Sequence, residues 1–291
     1  ISLLSALLIV LCVFAVEMKN TEKKAYQGIS EIGEDQNTEV ENKDNSQFID
    51  MSLAKDIEAY FQENGIDHEK VAYCITDLEH NIKYSMNEKD EFIAASIYKL
   101  PLAMLYYDKV NEGEYTLDST FTYSGYMHED AGVISSDYGI GSQVPLSDLL
   151  NDLIIYSDND AGHILYENLG GWKEYKEAMT KYTDSISENY YTMDNVTTVN
   201  TMNDVVTYLY DHKEDYKGLI KNMEEAEPGE YLDRDTQLSM PQKYGMYDSA
   251  LNSVGFVECN TSYSIVVLTS LGDKGADVMA NINRIAYEHF K

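Results

Sequence analysis

The chain has strand-like segments near both ends and helical segments between them. Five segments have the apolar alternation of strands: residues 70–78 and 82–87, and those around Lys243, Phe256 and Val266. Helical periodicity covers most of residues 146–182, and a closing helix is predicted over residues 276–290. We therefore predict an α/β (α+β) fold of two lobes, in which an antiparallel sheet built from both ends is flanked by helices and the other lobe is all-α.

A serine and a lysine lie three residues apart where an apolar helix is predicted to begin. The sequence Ser96-Ile97-Tyr98-Lys99 opens a helix expected to reach Asn111. Positions i and i+3 share a helix face, so the amine lies against the hydroxyl. A partly buried lysine can take the serine proton and so make the hydroxyl nucleophilic. Ser52-Leu53-Ala54-Lys55 has the same spacing, but Ser52 is expected to be a helix N-cap, so spacing alone is weak evidence.

Two further motifs follow in a specific order. Ser157-Asp158-Asn159 comes after the apolar run 149–156, and Lys243-Tyr244-Gly245 precedes the last two predicted strands. Ser-x-x-Lys, Ser-Asp-Asn and Lys-[Thr/Ser]-Gly occur in this order in class A β-lactamases and penicillin-binding proteins. From about Met51 to its C-terminus, the chain resembles this superfamily. The resemblance implies the β-lactamase-like two-lobe fold.

The resemblance also implies roles for the residues of the first two motifs. Ser96 would be the acyl-accepting nucleophile, and Lys99 the base or proton relay. Ser157 would pass a proton to the leaving nitrogen, and Asn159 would orient Lys99 and the substrate amide. Asp158 is expected to accept hydrogen bonds from backbone donors and so stabilise the helical lobe.

The third motif would bind substrate. Lys243 would attract the substrate carboxylate, followed by Tyr244, Gly245 and Met246 along the same strand. The backbone N–H groups of Ser96 and Met246 would hold the oxyanion. Tyr244 departs from the family pattern, because the usual Thr or Ser hydroxyl is replaced by a phenol.

A second departure concerns the step that clears the acyl-enzyme. Class A enzymes carry a glutamate in a loop before the Lys-Thr-Gly strand, with an asparagine four residues later. That spacing is not found in residues 184–201, where Glu188 is the best candidate for the deacylating base by position. Without such a base, acylation could proceed while deacylation stays slow.

The expected function is therefore that of an exported serine acyl-hydrolase that forms an acyl-enzyme at Ser96 with β-lactams and hydrolyses them. One alternative is a D-Ala-D-Ala peptidase or slow-deacylating penicillin-binding protein that acts on cell-wall peptides. Another is a non-catalytic sensor or binding module for β-lactams or wall peptides. The intact motifs argue against the last, whereas Tyr244 and the missing loop glutamate argue against an efficient β-lactamase.

Composition excludes several classes of partner. The 291 residues carry a formal net charge of −30, which opposes binding to nucleic acids and to anionic membrane surfaces. The six histidines lack metal-ligand spacing, so no metal or other cofactor is expected. A monomer that takes small-molecule substrates is predicted. Cys74 and Cys259 lie on or beside predicted strands and are expected to be small buried residues, although an exported chain could pair them.

Three domains are predicted along the chain. Residues 1–18 form an apolar membrane anchor or signal segment, whose Cys12 follows Leu11 in a poor context for lipidation. Residues 19–50 form an acidic flexible linker, and residues 51–291 form the catalytic domain. We expect an extracytoplasmic bacterial protein, either membrane-anchored or secreted.

Overall fold

The computed structural model describes residues 51–125, 132–236 and 238–291. The predicted apolar segment, the acidic linker and Cys12 lie outside the described residues. Within the described ranges, no helix has both the length and the apolar character needed to cross a membrane.

This domain alternates helices and strands along most of its length. The helices are α1 Ser52–Asn64, α2 Lys99–Asn111, α3 Val133–Asp137, α4 Leu146–Ile155, α5 Asn159–Asn168, α6 Trp172–Met179, α7 Val199–Asp211, α8 Lys217–Glu224 and α9 Lys274–Phe290. The strands are β1 Val71–Asp77, β2 Ile82–Met86, β3 Phe92–Ile93, β4 Thr120–Thr122, β5 Gln143–Pro145, β6 Val196–Thr197, β7 Gln242–Tyr247, β8 Ala250–Val257 and β9 Tyr263–Thr269. Short 3-10 turns cover His68–Lys70, Ala95–Tyr98 and Thr180–Tyr182.

The main sheet joins the two ends of the domain. Its strand order is β2-β1-β9-β8-β7, and every neighbouring pair is antiparallel. At the centre, Cys74 of β1 is opposite Val266 of β9. At one edge, Lys243 of β7 is opposite Val254 of β8. The predicted fold is confirmed, and the third motif lies on an edge strand.

Both faces of this sheet are covered, which explains why its central strands are buried along their whole length. Side chains such as Tyr73 and Ile75 pack in one core with α1 and α9. Side chains of the opposite parity, such as Ala72 and Cys74, pack in a second core with α2 and the other central helices. The second core fixes the start of α2, which carries the first motif, against the sheet.

Some local details differ from the sequence prediction. Ser52 is the first residue of α1, and the N-cap is Met51, so the prediction that Ser52 caps this helix was wrong. The Ser52 hydroxyl instead lies 3.4 Å from Nδ1 of His289. The nucleophile segment begins as a 3-10 turn, and regular α-helix starts only at Lys99. Helix α8 and the two-residue pair β3–β6 were not predicted, because segments this short are difficult to recognise from the sequence pattern.

Candidate active site

The first motif is held in a strained turn at the start of α2. Ala95 has φ of +50°, a left-handed conformation that costs free energy for a residue with a side chain. The turn places Ser96 directly before the buried first residues of α2. The Lys99 side chain is 0% exposed, and its Nζ lies 3.1 Å from Oγ of Ser96. The predicted contact between amine and hydroxyl is present.

The second motif supplies further hydrogen-bond partners of the Lys99 amine. Nζ donates to the Ser157 carbonyl oxygen at 2.5 Å and to Oδ1 of Asn159 at 2.6 Å, and it lies 3.4 Å from Oγ of Ser157. Ser157 also has a positive φ, +55°, at the corner between α4 and α5. This corner turns both its carbonyl and its hydroxyl towards the lysine. Burial of a polar amine costs free energy unless it has such hydrogen-bond partners.

Asp158 joins the corner to the neighbouring segment. Its Oδ1 accepts from the Ala161 N–H at 2.8 Å, as an N-cap of α5, and its Oδ2 accepts from the Ile134 N–H at 3.1 Å. A Cβ on Gly132 would lie 2.1 Å from Oδ2, so only glycine fits there. Asp158 therefore satisfies backbone donors in the helical part of the molecule, as expected from its type.

The third motif lies beside the nucleophile turn because strand β7 passes very close to it. A Cβ on Gly245 would lie 2.6 Å from the backbone nitrogen of Ser96 and 2.8 Å from that of Ile97. Only glycine permits this approach. Met246, the next residue, has a side chain that is 62% exposed. The structure thus brings Gly245 against the peptide of Ser96.

Lys243 is buried on the same strand. Its side chain is 0% exposed, and Nζ donates to the Tyr244 carbonyl oxygen at 2.9 Å. Burial and the nearby charge of Lys99 lower the pKa of Lys243 well below its ordinary value, while the charge of Glu227 acts in the opposite direction. The two motif lysines therefore influence each other electrostatically.

Glu188 lies apart from these contacts. It is exposed, in a turn that precedes the buried Tyr190. Its neighbour Asn189 donates through its backbone N–H and its side-chain amide to the Glu91 carboxylate, at 3.0 and 2.7 Å. Glu188 is not a partner in the hydrogen bond between Lys99 and Ser96. Its role as a deacylating base stays a prediction.

Two asparagines that the sequence analysis did not single out hold the residues before Ser96. The backbone carbonyl of Asn195 accepts from the Ala94 N–H, and its side-chain Nδ2 donates to the Ala95 carbonyl, both at 2.8 Å. Asn252, from β8, donates through Nδ2 to the carbonyls of Ile93 at 2.8 Å and Ala94 at 3.1 Å. These bonds stabilise the left-handed turn. No local sequence pattern identifies such long-range partners.

A buried lysine organises the loop that carries Asn195. Lys176 of α6 donates to the carbonyls of Tyr190, Thr192 and Asp194 at 2.6, 2.9 and 2.5 Å. Burial lowers the pKa of Lys176. In the sequence, Lys176 looks like any lysine of an amphipathic helix, so this function could not be predicted.

Within residues 51–125, 132–236 and 238–291, no group of three or more His, Cys, Asp or Glu side chains is arranged to hold a metal ion. Cys74 is a buried free thiol, and Cys259 is a partly buried one whose Sγ lies 3.2 Å from the Thr261 carbonyl oxygen.

Comparisons with known proteins agree with this architecture. A β-lactamase from Chitinophaga pinensis has a TM-score of 0.69 and 21% identity, over 82% of this chain and 100% of that chain. A β-lactamase from Sphaerobacter thermophilus has a TM-score of 0.69 and 20% identity, over 83% and 98% of the two chains. A variant of PBP-A, solved as an acyl-enzyme complex with penicillin G, has a TM-score of 0.69 and 16% identity, over 82% and 96%.

At the level of sequence, no curated protein matches the chain. The family model described as the β-lactamase enzyme family matches residues 52–290, which include all three motifs and nearly all of the described domain. The chain therefore belongs to the β-lactamase enzyme family.

Proposed function

We propose that this protein is an exported serine acyl-hydrolase that opens β-lactams through an acyl-enzyme on Ser96. The observation that carries the proposal is the 3.1 Å contact between Nζ of Lys99 and Oγ of Ser96. A serine hydroxyl becomes an effective nucleophile when an adjacent base accepts its proton. The hydrogen bonds of Lys99 to Ser157 and Asn159 hold the amine in that position before substrate arrives.

In the acylation step, Oγ of Ser96 forms a bond to the carbonyl carbon of the β-lactam. The Ser96 proton passes to Lys99, which enters the step as a neutral amine, and the carbon–nitrogen bond of the ring then breaks. The leaving nitrogen receives a proton through Ser157, whose Oγ lies 3.4 Å from Nζ of Lys99. No atoms are lost, because the opened ring stays attached to Ser96. Hydrolysis of that ester by water releases the product and regenerates the hydroxyl.

The remaining motif residues would bind the reacting groups. The backbone N–H groups of Ser96 and Met246 would hold the carbonyl oxygen as it becomes negative. The close packing of Gly245 on the Ser96 peptide supports this role, since it brings the two segments together. Asn159 would orient the substrate amide, and Lys243, followed by Tyr244, would line the side on which the leaving group carries its substituents.

A second candidate is a penicillin-binding protein or D-Ala-D-Ala peptidase with slow deacylation. The absence from residues 184–201 of the Glu and Asn spacing of class A enzymes favours it, because that glutamate would supply the deacylating base. The similar PBP-A variant was solved as an acyl-enzyme complex with penicillin G. The two candidates share the first covalent step and differ in the lifetime of the adduct.

The test is an intact-mass time course of the full chain mixed with benzylpenicillin, with Ser96→Ala in parallel. We expect the wild-type mass to rise by one benzylpenicillin and the Ser96→Ala mass to stay unchanged. Labelling that survives in Ser96→Ala would overturn the proposal, as would the absence of an adduct and of hydrolysed drug. An adduct lost within minutes while hydrolysed drug accumulates supports β-lactam hydrolysis, and one that lasts for hours supports the second candidate.

Export is part of the proposal and is supported by the uncharged apolar run Ile1 to Val16. Fractionation of cells that express the full chain tests it directly. The protein is expected in the membrane or secreted fraction, and its recovery in the cytoplasm would contradict export.

A further inference from the structure

The Lys243 ammonium is covered by the side chain of the residue that follows it. Nζ of Lys243 lies 4.1 Å from the ring centroid of Tyr244, well within the range of a cation–π contact. The same Nζ donates to the Tyr244 carbonyl at 2.9 Å. Together these contacts account for a lysine with no exposed surface at the edge of the main sheet. A Thr or Ser at position 244 could not provide this cover.

The Tyr244 ring is held in place by a second aromatic ring. Tyr231 stacks on it with ring centroids 4.8 Å apart and planes 20° from parallel. The segment that carries Tyr231 is tied to β7, because the Leu232 N–H donates to Oε1 of Gln242 at 3.1 Å. Gln242 also donates to Oδ1 of Asp233 at 2.9 Å. The hydrogen bonds of Gln242 thus hold the segment of Tyr231 beside β7, where the two rings stack.

The charges around this pair are unfavourable for a bound anion. Burial and the charge of Lys99 lower the pKa of Lys243, because both disfavour the charged form of its amine. Glu227 is exposed and close enough to act electrostatically on both Lys243 and Tyr244. Its negative charge would repel an incoming carboxylate. The steric cover by the Tyr244 ring and the negative charge of Glu227 therefore both oppose the approach of a carboxylate to Lys243.

We propose that Tyr244 and Tyr231 form an aromatic cover over Lys243 that selects against acyl donors with a carboxylate beside the scissile amide nitrogen, in favour of donors that are neutral there. This inference rests on the proposed function, since it concerns the substrate class of the same Ser96 site. A carboxylate-bearing substrate reaches Lys243 only after the Tyr244 ring leaves its stack on Tyr231. A neutral substrate has no such requirement.

The experiment compares benzylpenicillin with its methyl ester, in which that carboxylate is neutral and carries one added methyl group. Second-order rate constants for acylation of Ser96 are measured by intact mass, and the acid-to-ester ratio is formed for each variant. Each reagent has its own intrinsic reactivity, which does not depend on the protein variant. A change in the ratio between variants therefore reports on how the site treats the carboxylate relative to its ester. We expect a wild-type ratio near or below one, and at least a tenfold higher ratio in Tyr244→Thr.

Tyr247→Thr is the matched control. Tyr247 lies on the same strand, its side chain is 65% exposed, and the substitution is chemically identical, so the ratio should stay within twofold of wild type. Tyr231→Leu leaves the strand intact and removes only the stacking partner. It should also raise the ratio, and it tests the inference independently if Tyr244→Thr does not fold.

Two results would overturn the inference. One is a wild-type ratio already well above ten, and the other is an unchanged ratio in a folded Tyr244→Thr or Tyr231→Leu protein. If neither reagent forms a Ser96-dependent adduct with any variant, the proposed function itself is wrong and the inference falls with it.

Discussion

Gly245 illustrates how one residue determines the geometry of the site. Strand β7 must approach the Ser96 peptide so closely that any Cβ at position 245 would lie 2.6 Å from its nitrogen. The atoms that would be pushed apart are backbone atoms, which have little freedom to move, because Asn195 and Asn252 hold the preceding residues. A methyl group there would therefore displace the nucleophile itself or the strand beside it.

We predict that Gly245→Ala lowers the rate constant for acylation of Ser96 by benzylpenicillin by about 100-fold, because displacements near 1 Å have effects of this size. Gly139→Ala is the control, since among the described residues a Cβ there would approach only the Ser142 side chain, at 3.8 Å. Reaction mixtures quenched at successive times and analysed by intact mass give the acylation rate constants of both variants. Gly245→Ala with a wild-type rate would show that the close approach of β7 has no catalytic importance.

At the scale of elements, the loop between α6 and β6 links a buried lysine to the nucleophile turn. Lys176 donates to three carbonyls of residues 190–194, and Asn195 then bonds to the residues before Ser96. The loop has little regular secondary structure and ends in the two-residue strand β6. Its conformation therefore depends on the lysine, and the position of Ala95 depends on the loop.

Lys176→Met tests this link. Loss of the ammonium leaves three carbonyls without their donor, and we expect the free energy of unfolding to fall by about 3 kcal/mol. The acylation rate should fall by about tenfold, because Ala95 loses support. Denaturant unfolding and intact-mass kinetics measure the two effects.

Lys173→Met is the matched control for that prediction. Lys173 lies on the same helix, and its side chain is 71% exposed and pairs only with Glu177 among the contacts of the described residues. Both its stability and its acylation rate should remain near wild type. If Lys176→Met behaves like Lys173→Met, the loop is held by other contacts and the proposed link is wrong.

At the scale of the whole molecule, sequence patterns predicted the architecture because they are local. The alternation around Val266 and the apolar run before Ser157 each mark an element without reference to distant residues. The antiparallel sheet from both ends followed from their order along the chain. The contact between Ser96 and Lys99 could also be predicted from their spacing, because helical geometry brings the side chains of residues i and i+3 together.

The remaining features depend on contacts between distant segments. The stack of Tyr244 on Tyr231 requires the segment around Tyr231 to lie beside β7, which no periodicity specifies. Asn252 looks like an ordinary polar residue in a strand until β8 is placed beside the nucleophile turn. Lys176 is distinguished from Lys173 only by burial. Such residues could not be identified from composition or spacing, since their role arises from tertiary packing.

The central claim is that Lys99 activates Ser96 within a cluster assembled before substrate binds. The most direct measurement is the second-order rate constant for acylation by benzylpenicillin in Lys99→Met, compared with wild type and with Lys109→Met on the same helix. Methionine fills a similar volume, so the fold should persist, and circular dichroism checks this. We predict a fall of about 10²- to 10⁴-fold, the usual contribution of a general base, and a wild-type rate in Lys109→Met. A folded Lys99→Met protein that acylates at the wild-type rate would contradict the account.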